Sequence, residues 1–565
     1  MRVRSALPIH LVVLVGLCGV LYFPYLGNTP LFDKGEPREA LAVQDIVQRG
    51  EWLFPLKRAT AVPSKPPLFH WSAALISEMT GHMNEITIRF PSALFATLGV
   101  LLIYFLGRKL YGPEIALLAG AILATTMVYS DQALSARVDM TLCFFLTLSL
   151  IVFYSLYRGF LIHPLWYFVF YFVVGIGTLA KGPLGILLPG LVIAGFLAMR
   201  RRWDLVMKLA FHPGVVLTLL LAAGWYGLAI SRAGEGFVDR QLLQENLKRF
   251  FGGSGHSHAV YYYLPYLFSL GLPWSLFLPF LVWDFFKKSP DGSDDRLFFK
   301  CWFLIMFGFF SLSAGKRPVY LLPVYPPLSL LLADWVYRQY HSSGWRLVAY
   351  RVLAAVAVVS GGMLLIISVG AIWNHEPGWF FGPIASMLKP KDRSNLLVVQ
   401  NALDTFGGVF MMVMLITAIF WFALGRAFWH ARVRRAAVLL LAVSIVFSFI
   451  SRGIVIPVIA ADKSYREFVV AMDRQVGPAA VIYLFGEFNS DPVIFYHRKM
   501  IDLLEQPLAE MATKVGAGND YVIMPRQTWE EIEKLRPDLP APILSGTGKG
   551  AEGDAPLVLV RAQIT

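Results

Sequence analysis

The chain has 565 residues, 56% of them hydrophobic and 15% charged, with a mean hydropathy of +0.58. These values exclude an ordinary soluble domain and describe a polytopic membrane protein. The formal charge of +13 does not point to nucleic acid, because Lys and Arg stand at the ends of apolar runs, where they set topology and meet lipid headgroups.

The N-terminal MRVRSALPIH opens an apolar run too long for a signal peptide and without a convincing small-residue cleavage site, so it reads as an uncleaved first span. Crossing about 30 Å of hydrocarbon takes about 20 apolar residues. Runs of that kind fall near 7–26, 88–107, 113–130, 139–157, 164–180, 183–199, 211–230, 262–285, 298–315, 318–337, 350–373, 402–424 and 436–457. Some are short or joined by tight turns such as Lys181-Gly182-Pro183, which leaves about 11 to 13 spans by this length criterion. Cys18, Cys143 and Cys301 all lie inside such runs, which indicates neither a disulfide framework nor a thiolate metal site.

Basic clusters in short loops fix the orientation. With Arg2 and Arg4 cytoplasmic, Arg108 and Lys109, Arg158, Arg200 to Arg202, Lys287 and Lys288, Arg338, and Arg432 to Arg435 all fall on that side. The opposite, periplasmic side receives the polar stretch 31–71, the turn 130–139, the turn at Lys181, the loop 231–261, the turn Gly315-Lys316-Arg317 and the C-terminal hundred or so residues. Charge in these segments is not needed for topology and invites a functional reading.

The first outer loop, 27–87, is far longer than a connector between two helices requires. Its segment 37–47 has apolar residues at helical spacing with Pro37 in the first turn, which predicts a short interfacial helix whose free N–H groups suit an anion. A second short helix is predicted from near Lys65-Pro66-Pro67, carrying Trp71, Ile76 and Met79. Asp33, Glu36 and Glu39 cluster here. Asp139 opens a membrane helix on the same side, either as a helix-start acid or as a second site carboxylate. Lys65, Lys181, Lys316 and Arg317 each stand in an outer turn. Alone, each reads as a snorkelling side chain; together they form a basin for a lipid phosphate. His256 and His258, in a glycine-rich segment, could bind a divalent metal or simply lie at the surface.

From 459 to 565 the composition changes. SYREFVVAMDRQV and TWEEIEKL read as helices, and AVIYLFG, VIFYH, DYVIMP and PLVLV as short strands, which predicts a small soluble α/β domain on the periplasmic side of a transmembrane unit spanning 1–458. It shows neither a nucleotide-binding glycine motif nor a catalytic triad, and reads as a cap.

The motifs GEPREAL, Gly50-Glu51-Trp52, SKPPLFHW, IRFPSAL, ARVDM, LAKGPLG, LPWSLFLP and SAGKRPVYLLPVYPPLSLL run in order from about 30 to 340. They resemble the aminoarabinose transferases that modify lipid A, within the GT-C class of polyprenyl-phosphate-sugar-dependent membrane glycosyltransferases that includes protein O-mannosyltransferases. The resemblance implies a helical membrane fold and transfer of a sugar from undecaprenyl phosphate to a lipid acceptor such as lipid A at the periplasmic face of the inner membrane. It implies Glu36, Asp139 and Asp33 as carboxylates of the reaction, with Lys65, Arg38, Lys181, Lys316, Arg317 and Tyr320 about the carrier phosphate and His256 near a family histidine. Two positions depart from the pattern: Gly35 stands where the family has Asp, and Ser64 where it has an acid before the lysine. No cofactor is called for beyond the divalent metal that His256 leaves open.

Two other classes compete. A lipid or sugar flippase would place ionisable groups at the bilayer midplane and show inverted repeats, whereas here charge gathers at one interface and no repeat is visible. A member of the fold with altered catalysis is the reading that Gly35 raises.

Overall fold

In the computed structural model the described residues are 2–55, 65–237, 258–285, 294–338, 345–374, 381–387, 390–477, 480–550 and 555–564. Each of the thirteen apolar runs is largely helical there. Among the described residues eight helices are long and apolar enough to cross a membrane, and ten spans result if each of two bent pairs counts as one, fewer than the 11 to 13 expected because several of the runs form short or bent helices. The helices Leu165–Lys181 and Leu184–Met199 are apolar but shorter, and Asp294–Leu312 begins with two acids.

Backbone chemistry marks the elements that matter for the site. After α1 (Arg2–Tyr22) the chain leaves the bundle, forms α2 (Gly35–Arg49) and α3 (Leu68–Thr80), and re-enters as α4 (Glu85–Tyr111). A capping box starts α4: Asn84 Oδ1 accepts the Thr87 N–H at 3.1 Å and Thr87 Oγ1 accepts the Asn84 N–H at 3.0 Å. Next come α5 (Pro113–Thr125) and α6 (Met127–Ala133), which meet at a 66° bend where Thr126 is extended. The turn that follows leads into α7 (Val138–Tyr157) and then α8 (Leu165–Lys181). Gly182 ends α8 at φ +72°, a conformation that costs a glycine little, and so turns the chain straight back into the next helix.

The C-terminal unit holds a five-stranded sheet in the order β2-β1-β3-β5-β4, made of β1 (Ile482–Phe485), β2 (Asp502–Leu504), β3 (Val515–Pro525), β4 (Leu544–Ser545) and β5 (Leu557–Ala562). β1 runs parallel to both β2 and β3, while β5 pairs antiparallel with β3 and β4. One expectation fails. The segment predicted as the strand VIFYH lies in a helix, Asp491–His497, with Pro492 in its first turn and Val493, Ile494 and Phe495 buried. A short apolar run buried on several sides has no periodicity to distinguish strand from helix, and the proline at its start favours the helix.

That helix belongs to the core which unites the two halves. Ala40, Leu41, Val43 and Ile46 of α2 and Phe69, Ala73 and Ala74 of α3 pack in one buried cluster with Val469, Leu484, Val493, Phe495, Leu557 and Leu559. Eleven of the fifteen residues of α2 are buried, more than a single apolar stripe would enclose. Polar ties reinforce the contact. Tyr496 donates to Glu85 Oε1 at 2.9 Å and accepts the Leu31 N–H at 2.7 Å, Gln48 donates to the Arg498 carbonyl at 3.0 Å, and Arg498 donates to the Met83 carbonyl. The sheet unit therefore clamps the first outer loop onto the bundle.

Candidate active site

Between α2, the start of α7, the end of α8 and the 3-10 turn Pro318–Val324 lies a narrow polar cleft. Its walls carry Arg38, Glu39, Lys65, Arg137, Asp139, Lys181, Arg317 and Tyr320, so five cations surround two carboxylates. Seven of the residues singled out from sequence meet here: Arg38, Glu39, Lys65, Asp139, Lys181, Arg317 and Tyr320.

Asp139 sits in the first turn of α7, and Lys181 at the end of α8 donates to its Oδ1. The same ammonium lies 4.5 Å over the Tyr320 ring, which adds a cation-π contact and fixes its direction. Asp139 is thus more than a helix-start acid: it is the cleft's central carboxylate, held by a neighbouring span. Across from it, the Arg38 guanidinium binds Glu39 Oε1 through Nε at 3.1 Å and Nη2 at 2.7 Å. The other Glu39 oxygen meets His70 Nε2 of α3 at 2.9 Å. Burial pushes the Glu39 carboxyl up, but Arg38 and His70 outweigh it and hold it well below the usual carboxylate range. Glu39 therefore stays ionised and aims Arg38; it makes a poor base.

The remaining sequence candidates lie elsewhere. Glu36 does not line this cleft. Its carboxylate is engaged by the buried Arg89 in two parallel bonds of 2.8 Å and accepts the Ala136 N–H at 2.8 Å. Arg89 spends its other donors on the carbonyls of Leu26, Thr29 and Pro30. This network ties α2 to α4 and to the turn before α7, and it leaves Glu36 in a structural place. Lys316 also points away, donating to the carbonyls of Ser313 and, at 2.9 Å, His258. Its position follows from burial: a lysine ammonium inside the protein takes backbone carbonyls as partners. His256 lies outside the described residues. Among the described residues no three His, Cys, Asp or Glu side chains converge to hold a metal.

Asp33 forms a wall rather than a floor. It accepts the Gly35 N–H at 2.8 Å and pairs with Arg137, whose guanidinium lines the cleft. Desolvation pulls the Arg137 pKa down, yet Asp33 and then Asp139 more than restore it, so the guanidinium is firmly charged. This arrangement accounts for Gly35. A Cβ there would stand 2.8 Å from Arg137 Cζ, inside van der Waals contact, so a side chain at 35 and this placement of Arg137 exclude each other. The carboxylate that meets Arg137 comes instead from two residues upstream.

Sequence reasoning missed Arg137, His70 and Arg89. Arg137 had a usable signal in its position alone, since it is a cation immediately before the predicted helix that Asp139 opens. His70 and Arg89 had none, because their partners are distant in sequence.

Part of the sequence, and the fold as a whole, are similar to known proteins. The family described as dolichyl-phosphate-mannose-protein mannosyltransferase matches residues 64–226. Two curated relatives named undecaprenyl phosphate-alpha-4-amino-4-deoxy-L-arabinose arabinosyl transferase are similar. The one from Pectobacterium atrosepticum is 28% identical over 59% of this chain and 60% of its own length, and the one from Pseudomonas aeruginosa 31% identical over 56% and 57%. The chain thus spans about three-fifths of the length of these relatives. The crystal structure of ArnT from Cupriavidus metallidurans bound to undecaprenyl phosphate superposes with a TM-score of 0.76 at 22% identity, covering 97% of both chains. The fold is that of this solved structure. In sequence, somewhat over half of the chain is similar to the aminoarabinose transferases.

Proposed function

We propose that this protein transfers a sugar from a polyprenyl phosphate carrier, undecaprenyl phosphate in a bacterium, to a lipid acceptor such as lipid A on the periplasmic face of the inner membrane. The observation that carries the proposal is the cleft in which five cations surround Asp139 at the outer ends of membrane helices. Such a charge distribution suits a phosphodiester head whose negative charge grows as the sugar departs. The sequence relatives named above act on an undecaprenyl-phosphate-linked aminosugar by name, and the similar ArnT structure named above holds undecaprenyl phosphate.

In this reading Lys65, Arg317, Arg137 and Arg38 hold the phosphate. The anomeric carbon–phosphate oxygen bond breaks and polyprenyl phosphate leaves with both bonding electrons. An acceptor oxygen forms the new glycosidic bond, and when the acceptor is a hydroxyl its proton passes to a carboxylate. Asp139 faces the positive charge that develops at the anomeric carbon, and Lys181 fixes its direction. Phosphate is a good leaving group, so no acid is required on its side. Orientation follows from the basic clusters: the N-terminus is cytoplasmic, residues 1–458 form the transmembrane unit and 459–565 the periplasmic one.

The test uses purified protein with polyprenyl-phosphate-linked sugar and envelope lipid. Asp139→Asn and Lys65→Ala each lower transfer at least a hundredfold while inserted protein stays at the parental level. Full activity in both overturns the site.

A further inference from the structure

The guanidinium of Arg38 reaches the cleft from α2 with about one-third of its side chain exposed, while the carboxylate that holds it, Glu39, is buried. Two N–H groups of Arg38, on Nε and Nη2, converge on a single oxygen, Oε1, at 3.1 and 2.7 Å. A guanidinium that meets a carboxylate with both oxygens open commonly pairs fork to fork, one N–H on each oxygen. Here that pairing is denied, because Oε2 already meets His70 Nε2 at 2.9 Å.

The imidazole has one polar task. His70 is buried near the start of α3 with the Phe69 ring edge-on at 5.7 Å, and its Nδ1 finds no protein partner among the described residues. An ionised carboxylate only accepts, so Nε2 carries the hydrogen and donates it to Oε2. Nor does α3 need this bond to find its seat, since Phe69, Ala73 and Ala74 share one buried apolar cluster with Ala40, Val43 and Ile46 of α2. What the histidine adds, beyond the ring that a phenylalanine would bring, is the single N–H on Glu39.

From this geometry we infer that His70 is a positioning residue for carrier recognition. By occupying Oε2 it confines Arg38 to Oε1 and so keeps the guanidinium turned toward the cleft, where the carrier's phosphate binds. With Oε2 open, the guanidinium would roll onto both oxygens and draw an N–H away from the phosphate. The inference rests on the donor reading above and deepens it with a residue that does not itself line the cleft.

The test is equilibrium binding of undecaprenyl phosphate to the purified full chain in detergent, with the folded fraction of each variant fixed by thermal melting. His70→Phe is expected to weaken binding at least tenfold. His70→Gln, whose amide N–H reaches Oε2 much as Nε2 does, stays within threefold of wild type, whereas His70→Asn, one methylene shorter, loses as much as His70→Phe. In an Arg38→Ala background, itself weakened, adding His70→Phe changes the affinity less than twofold, because the imidazole acts through a guanidinium that is no longer there. If His70→Phe does not fold, the Gln and Asn variants, with and without Arg38→Ala, make the same comparison. Wild-type affinity in His70→Phe or His70→Asn overturns the inference, as does a Gln variant no better than Asn, or an undiminished loss in the Arg38→Ala background. A wild-type chain that binds no carrier overturns the donor reading and this inference with it. Full affinity in Arg38→Ala alongside a loss in Lys65→Ala overturns this inference alone.

Discussion

Two carboxylates three residues apart on one helix, Glu36 and Glu39, are each bound by an arginine, but the arginines come from different places and the consequences differ. Glu36 meets Arg89, a guanidinium buried beneath the loop, and breaking such a pair from one side leaves an unpaired charge inside the protein at a cost of about 3–5 kcal/mol. Glu36→Ala should therefore lower the yield and thermal stability of folded protein before any effect on transfer is read, a result that thermal melting in detergent would show. An unchanged melting point would contradict the structural role. Glu39 meets Arg38 at the cleft. Its folded carboxyl lies below the ordinary value of 4.5, so its contribution to stability is fully present above that pH and is lost as pH falls below it. Glu39→Gln is expected to lose stability at neutral pH and to flatten the acid limb of the stability profile below about pH 4.5, measured as melting temperature against pH. The residue types in this loop were legible from sequence, but their division into structural and cleft-lining acids was not. That division depends on Arg89, 53 residues beyond Glu36, and on the direction in which α2 rolls against the bundle.

Among the elements, α2 owes its roll to the C-terminal unit. Tyr496 joins Glu85 at the start of α4 to the backbone of Leu31, four residues ahead of α2, in two bonds under 3 Å. Tyr496→Phe removes the donor to Glu85 and the acceptor for Leu31, a loss of about 1–3 kcal/mol for buried groups left unsatisfied. Hydrogen exchange should report faster exchange at the Leu31 amide and in the first turn of α2, with the remote spans unaffected; unchanged protection at Leu31 would count against the clamp. Periodicity in sequence located α2, α3 and each membrane helix because an apolar stripe or run suffices for that. It failed for Asp491–His497, whose apolar residues are covered by α2 on one side and the sheet on the other. A segment enclosed by partners far away in the chain carries no local sign of its geometry.

On the scale of the whole molecule, membrane class and the order of the helices were readable from composition and the apolar runs, because the bilayer imposes such runs on any chain that crosses it by helices. The lateral arrangement of the helices was not readable, and it is what brings Lys181 of α8, Asp139 of α7 and Tyr320 of the later turn into one cleft. A reporter fused after Ser464 should read as periplasmic, on the same side as one inserted in the 31–71 stretch; opposite readings from the two positions would break the proposed topology. The central claim is that this cleft grips the phosphate of a prenol carrier. Equilibrium binding of undecaprenyl phosphate to the purified chain, wild type against Lys65→Ala and Arg317→Ala, tests it most directly. The account predicts a loss of affinity of at least tenfold in each variant, and affinity equal to wild type in both would contradict it.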